Sequence, residues 1–327
     1  MTVSSVVDIV DGRLATDPAI GTVEEIRTKA AKVSRGDVYI ALEGPEALRV
    51  ALAQGAYAVI TGPSMPVSDP EVAWIVVDDL AFALTALIRF VMLSRGVKGY
   101  SCNASTLFIL KQICRDRRVA VQPAYMSLES RVEMLLAQEV EMCVSDDTVW
   151  LETILPKAAR IGPADEIGLD VIKKSPFEMT FAFRGIGYTV PLSGYFLPFL
   201  TEAMYVCMTS GMGWRFPSQW SNRRIYPLYF DRFFRLSESS RAAKVVIVDE
   251  RVEAHERAQV LGYFRHALRW GQVDAVFKEE MAGTLSDRLE AGKTLFLYAG
   301  GFSVQEVMDA AGVVAQKAPK NATLFGF

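Results

Sequence analysis

The stretch "VKGYSCNASTLFILKQICRDRRV", Val97 to Val119, decides how the chain is read. It has the rhythm of a strand, a turn of small residues and a helix. In a nucleotide-binding α/β protein that is where the phosphate loop lies. Such a loop cradles phosphates with backbone N–H groups, close-approach glycines and a lysine aimed at the β/γ-phosphates. "YSCNAST" has no glycine and no lysine. The local shape survives while its chemistry is missing.

Outward from this stretch, the first ~95 residues alternate in the α/β manner. "DVYIAL" (Asp37–Leu42) is a short buried strand, and "PEALRVALAQG" is a helix closed by Gly55. "YAVITG" and "WIVVDD" are further strands, and "LAFALTALIRFVMLSRG" is a helix stopped at Gly96. Strands separated by helices of this length imply a parallel sheet. Beyond Val119, "SLESRVEMLLAQEVEMCVSDD" is helical with strand character at its end, and "FEMTFAFRGIGYTVPLSG" reads as an antiparallel hairpin. The aromatic and Met-rich "YFLPFLTEAMYVCMTSGMG" is a helix with a core stripe. From about Arg241, "AKVVIVDE" and "KTLFLYAG" are strands, "RVEAHERAQVLGYFRHALRWG" is a charged helix and "SVQEVMDAAGVVAQK" a closing helix. The tail "APKNATLFGF" is expected to be loosely ordered. The fold class is α/β, with mostly parallel sheets flanked by helices, divided as 1–95, 96–240 and 241–327.

Composition narrows the function. The 327 residues are 51% hydrophobic, with 18 Phe, 11 Tyr and 5 Trp, enough apolar surface to offset the entropy of ordering several domains. A net charge of −3 gathers neither nucleic acid nor anionic lipid, and "RDRR" (Arg115–Arg118) and "SNRR" (Ser221–Arg224) read as solvated turns. Cys102, Cys114, Cys143 and Cys207 form no CxxC pair and have only two histidines beside them. Reduced thiols, rather than zinc or a disulfide framework, follow. No secretory signal heads the chain, and the run containing Arg89 is too short and too charged to span a bilayer. The expectation is a cytoplasmic protein without membrane insertion.

The order of the pieces resembles the Mur ligase family, nearest to the branch that adds D-Ala-D-Ala. The resemblance rests on "IRTKAAKVSRGDVYIALEG", "ALAQGAYAVITG", "WIVVDDLAFALTALIRF", "VKGYSCNAST", "YTVPLSGYFLPFLTEAMYVCMTSGM", "YFDRFFRLSESSRAAKVVIVDE" and "EAGKTLFLYAGGFSVQEVMDA", which cover most of the chain in the family's order. It implies an N-terminal UDP-sugar-binding domain, a central ATPase domain and a C-terminal amino-acid-binding domain.

The departures from that pattern bear on function. Relic phosphate-loop positions are Gly99, Ser101, Asn103, Ser105 and Thr106, with Ser105 and Thr106 where the family carries Lys and Thr. Side chains such as Phe108 or Tyr100 filling the space above the turn would mean that the site held phosphate in an ancestor and holds none now. The family's nucleotide-holding "DSR" aligns with "KAA" at Lys29–Ala31, leaving Lys29 as a cation that can meet a phosphate or simply be solvated. Glu129 and Glu133 are the nominees for a metal, each also readable as a solubilising helix-face residue. In the C-terminal part, which is short for the family, Asp249 and His255 fall in the segment matching the family's "DD" loop, and Arg232 matches the arginine of its "GR" element. These four, Lys29, Arg232, Asp249 and His255, are the possible relic ligand contacts; no catalytic residue, metal or cofactor is assigned. The leading expectation is a non-catalytic Mur-ligase-like scaffold or regulator whose partner is a Mur ligase or another peptidoglycan-assembly protein. An active ligase with a rebuilt or partner-completed ATP site, and a nucleotide-sugar or muropeptide sensor, are the alternatives.

Overall fold

The computed structural model describes residues 1–18, 21–136, 139–162, 167–220, 223–269, 271–292 and 294–317. The chain forms two compact units, Met1–Pro163 with Glu202–Phe216, and Ala164–Thr201 with Pro217–Phe327.

The first unit opens with helix α1 (Val3–Val10), capped by the Thr2 hydroxyl, which accepts from the Ser5 N–H. Then follow β1 (Arg13–Leu14), β2 (Ile26–Arg27), β3 (Val38–Ile40), α2 (Pro45–Ala53), β4 (Ala58–Thr61), β5 (Ala73–Val76) and α3 (Leu80–Ser94). The sheet order is β1-β5-β4-β3-β2, parallel except where β1 pairs with β5. Strands β3 to β5 are buried throughout, which is why they read as unbroken apolar runs. Helices α2 and α3 end where Gly55 and Gly96 take left-handed backbone angles (φ +92 and +67), as expected from the sequence.

A second sheet of this unit contains β6 (Lys98–Ser101), α4 (Ala104–Ile113), β7 (Val119–Gln122), α5 (Leu128–Leu136), β8 (Met142–Ser145), α6 (Thr148–Ile154) and β9 (Ala159–Arg160). Its order is β7-β8-β6-β9, all parallel. One core joins the two sheets: Val38, Ile60 and Ile75 meet Leu84, Leu87 and Ile88 of α3, and the cluster continues through Ala120, Cys143, Leu151 and Ile154.

Arg131 locks the ends of β7 and β8. Only 5% exposed, it pairs with Asp147 at 2.8 Å, donates to the carbonyls of Met126, Pro123 and Ala124, and lies 5.4 Å from the centre of the Trp150 ring. Trp150 donates to Gln122, whose amide returns a hydrogen bond to the Arg131 carbonyl.

The second unit begins with a three-stranded antiparallel sheet, β10 (Leu169–Lys174), β11 (Met179–Phe183) and β12 (Ile186–Val190), so the expected hairpin gains a third strand. Helix α7 (Leu197–Thr209) follows, its residues from Glu202 onward belonging to the first unit. Next come β13 (Ile225–Phe230), β14 (Lys244–Asp249), α8 (Arg257–Ala267), β15 (Val273–Phe277), α9 (Leu285–Ala291), β16 (Phe296–Gly300) and α10 (Val304–Lys317). The sheet order is β13-β14-β16-β15, with β13 antiparallel to β14 and the rest parallel. The charged helix expected from Arg251 begins only at Arg257, after a 3-10 turn at Ala254–Glu256 that carries Glu256 into the interior. Lys244, 6% exposed, donates from Nζ to the Leu289 and Gly292 carbonyls at the end of α9. The tail from 318 onward lies outside the described residues.

No disulfide joins the four cysteines, and no helix among the described residues is long and apolar enough to cross a membrane.

Arg131→Ala would strand Asp147 and three backbone carbonyls, and is expected to lower the unfolding free energy by ~3–5 kcal/mol in a denaturant melt. Burial pushes the Asp147 carboxyl up, but the Trp150 N–H and the Arg131 guanidinium outweigh it and hold the group below its ordinary value. A carboxylate depressed by folding stabilises above its unfolded pKa of about 4, and this contribution is lost as pH falls through the folded value. Asp147→Asn should therefore show a shallower loss of stability between neutral pH and acid than the parent chain in pH-dependent melts.

Candidate functional site

The turn between β6 and α4 forms the predicted strand–turn–helix. Gly99 lies in the strand, and a Cβ there would come within 2.9 Å of the Ala158 Cβ, so its glycine answers to packing behind the turn. Ser101 ends the strand, and Asn103 caps α4, its Oδ1 accepting from the Thr106 N–H at 2.7 Å. Ser105 and Thr106, in the first turn of the helix, are fully buried. The five positions singled out from the sequence are thus brought together.

What meets them is a carboxylate. Glu202, from α7, accepts at Oε2 from the Thr106 hydroxyl (2.5 Å) and from the Asn103 Nδ2 (3.2 Å). Its negative charge stands at the amino end of α4, where the helix dipole and the orphan N–H groups favour an anion. Burial, followed by the Asp146 and Glu202 carboxylates, pushes the Cys102 thiol far up, so this cysteine is held as a neutral thiol. Asp146, its carboxyl raised chiefly by burial, accepts from the Ala124 N–H at 2.6 Å. The surroundings of the turn are therefore acidic where a phosphate site is basic. Glu202 went unnoticed in the sequence, although it is the one charged residue in "LPFLTEAMYVCMT".

The nominees near the N-terminus form ion pairs. Lys29 Nζ lies 3.5 Å from Glu43 and 3.8 Å from Glu129. Glu133 accepts from Lys32 and from the Thr28 hydroxyl, each at 2.5 Å. Burial pushes the Glu133 carboxyl up, but those two donors prevail and hold it below its usual range. Glu129 and Glu133 thus meet lysines, and no group of three or more His, Cys, Asp or Glu among the described residues is arranged to hold a metal.

In the second unit Asp249 and His255 part company. Asp249, at the end of β14, is fully buried and accepts from Arg224 Nε (3.2 Å) and the Tyr298 hydroxyl (2.7 Å). Arg224 also bonds Glu256 and lies 5.4 Å from the Phe196 ring centre. The expectation that "SNRR" is a solvated turn is corrected here: Arg224 is 3% exposed because two buried carboxylates claim it, while Ser221 and Asn222 lie outside the described residues. His255 faces solvent at 71% exposure beside Glu253, and Arg232 is exposed, stacked over Phe233 at 4.7 Å. Sequence reading picked the histidine where its neighbour Glu256 turns inward. The Tyr195 hydroxyl, also buried, has no hydrogen-bond partner among the described residues; burial and then the Glu256 carboxylate push its phenol far up.

The two units carry a Mur-ligase-like α/β fold. A crystal structure of MurF from Acinetobacter baumannii matches 97% of this chain and 98% of its own at a TM-score of 0.50, with 12% of residues identical. MurF from Thermotoga maritima, in complex with ADP, matches 90% of this chain and 97% of its own at a TM-score of 0.48 and 16% identity. At such identities the likeness is one of fold. No family model matches the sequence, and no curated protein does.

Because the Tyr195 hydroxyl is buried without a partner, Tyr195→Phe removes a desolvation cost and leaves the packing in place. It is expected to stabilise the chain by ~1 kcal/mol, seen as a higher melting temperature.

Proposed function

We propose that this chain is a non-catalytic Mur-ligase-like protein, acting by contact as a scaffold or regulator in peptidoglycan precursor synthesis. In this reading 1–95, 96–240 and 241–327 descend from the UDP-sugar, ATPase and amino-acid domains, and the partner is a Mur ligase or another peptidoglycan-assembly protein. The observation that carries the reading is the Glu202 carboxylate bonded to Thr106 and Asn103. A triphosphate placed on the same donors meets a negative charge, with Asp146 close by and no lysine in the turn to offset either. Like charges brought together out of water cost several kcal/mol. Two further observations support it: Lys29 is paired with Glu43 and Glu129, and Glu133 with Lys32.

The test is a thermal melt with and without Mg-ATP. A nucleotide present at a hundredfold excess over its Kd stabilises a protein by about 2.7 kcal/mol. The expected outcome is a flat response at millimolar nucleotide, and a dose-dependent rise in melting temperature would overturn the reading.

A further inference from the structure

Helix α3 is apolar around its whole circumference, with Arg89 its one charged residue. Ala83, Leu84, Leu87, Ile88 and Met92 are buried in the core, and α1 and α6 pack against the helix. Its outer face carries Phe82 (57% exposed), Ala86, Phe90 (43%) and Leu93 (51%). At about 100° per residue these four lie in a stripe roughly 80° wide and three turns long. Two half-exposed phenylalanines and a leucine leave on the order of 300 Å² of apolar surface uncovered. A helix apolar all round is normally covered all round, and here one face is bare.

The stripe is built to meet itself. It is symmetrical about Ala86, with a phenylalanine four residues to either side. Asp78 and Asp79 stand exposed at its head and Arg89 toward its tail, and Asp78 and Arg89 enter no ion pair among the described residues. Laid antiparallel on a second copy, with a two-fold axis at Ala86, each Phe82 comes level with the other helix's Phe90, and the small Ala86 lets the axes approach. Arg89 of one copy then falls level with position 83 of the other, about 7–8 Å along the axis from Asp78. Its guanidinium spans that distance by lying over Phe82, a contact that an aromatic face favours. The same pair forms twice, as a two-fold contact requires. A membrane surface fits less well, because it favours a stripe rimmed by lysine and arginine and this one is headed by two aspartates.

We propose that the outer face of α3 is a homodimer contact, in which two copies pair antiparallel through Phe82, Ala86, Phe90 and Leu93 and Arg89 of each reaches Asp78 of the other. The stripe alone buries about 600 Å² over both copies, below the size of a stable dimer interface, so the association is weak and depends on concentration. It is independent of the catalytic question, and neither result of the Mg-ATP melt bears on it.

The experiment is sedimentation equilibrium of the full chain from about 1 μM to about 1 mM, at low salt. Three variants accompany it: Phe82→Ser with Phe90→Ser, Arg89→Asp, and Arg89→Asp with Asp78→Arg. The parent is expected to pass from monomer to dimer across the series. The paired serines should weaken association about tenfold or more, and Arg89→Asp about threefold or more. The charge swap should return to within about twofold of the parent. Positions 78 and 89 lie eleven residues apart along one helix, too far to pair within a chain, so recovery reports a contact between copies. All the altered side chains are exposed, and the swap tests the contact by a gain, which a damaged fold does not produce. A parent that stays monomeric throughout overturns the proposal, whether or not it sediments with anionic phospholipid vesicles. So does a dimer undiminished by the serines, or a charge swap that melts like the parent and recovers nothing.

Discussion

The carboxylate of Glu202 at the amino end of α4 is the contact on which the functional reading turns. A helix amino terminus needs acceptors for its first N–H groups, and a site built for phosphate draws them from a ligand. Here Asn103 caps the helix from within, and Glu202 satisfies the hydroxyl and amide that remain. The turn is complete without any visitor. It keeps its strand–turn–helix path because that path also joins a half-buried strand to a buried helix, with Gly99 seated against Ala158 and Leu155 behind it.

The second unit repeats the theme with different residues. Arg224, Asp249, Glu256 and Tyr298 form a buried, hydrogen-bonded ion cluster at the carboxyl end of β14. In parallel α/β sheets that end is where ligands usually lie. Buried charges of this kind add little net stability but are costly to leave half-paired, so they fix one arrangement of the segments that carry them. Those segments are the residue before β13, the end of β14, the turn before α8 and the middle of β16.

Much of this was legible in the sequence. Strands β3, β4, β5, β14 and β16 announced themselves as short apolar runs because they are buried throughout, and α2 and α3 ended at Gly55 and Gly96 because only glycine enters the left-handed region cheaply. Strand β10 was overlooked because nearly all of it is exposed, and β15 because it is short and only Val273 and Val276 are buried in it. Helix α1 was overlooked too, being short and closed in the left-handed region by Asp11 in place of a glycine. The relic loop positions converge as a local pattern must. Glu202 and Arg224 lay beyond reach for a different reason: each matters through partners far along the chain, and no local period encodes such a pairing. His255 drew attention as a rare residue type, whereas the buried Glu256 beside it looked like any surface glutamate.

Lys244 offers a last consequence. Its ammonium is enclosed, bonded to two carbonyls at the end of α9 and facing the Phe234 ring, and burial draws its pKa below the ordinary lysine value. Acylating reagents that modify surface amines have no path to it while the strand and helix stay together. Its modification would therefore record the opening of the C-terminal sheet, giving the protein a built-in clock for that motion.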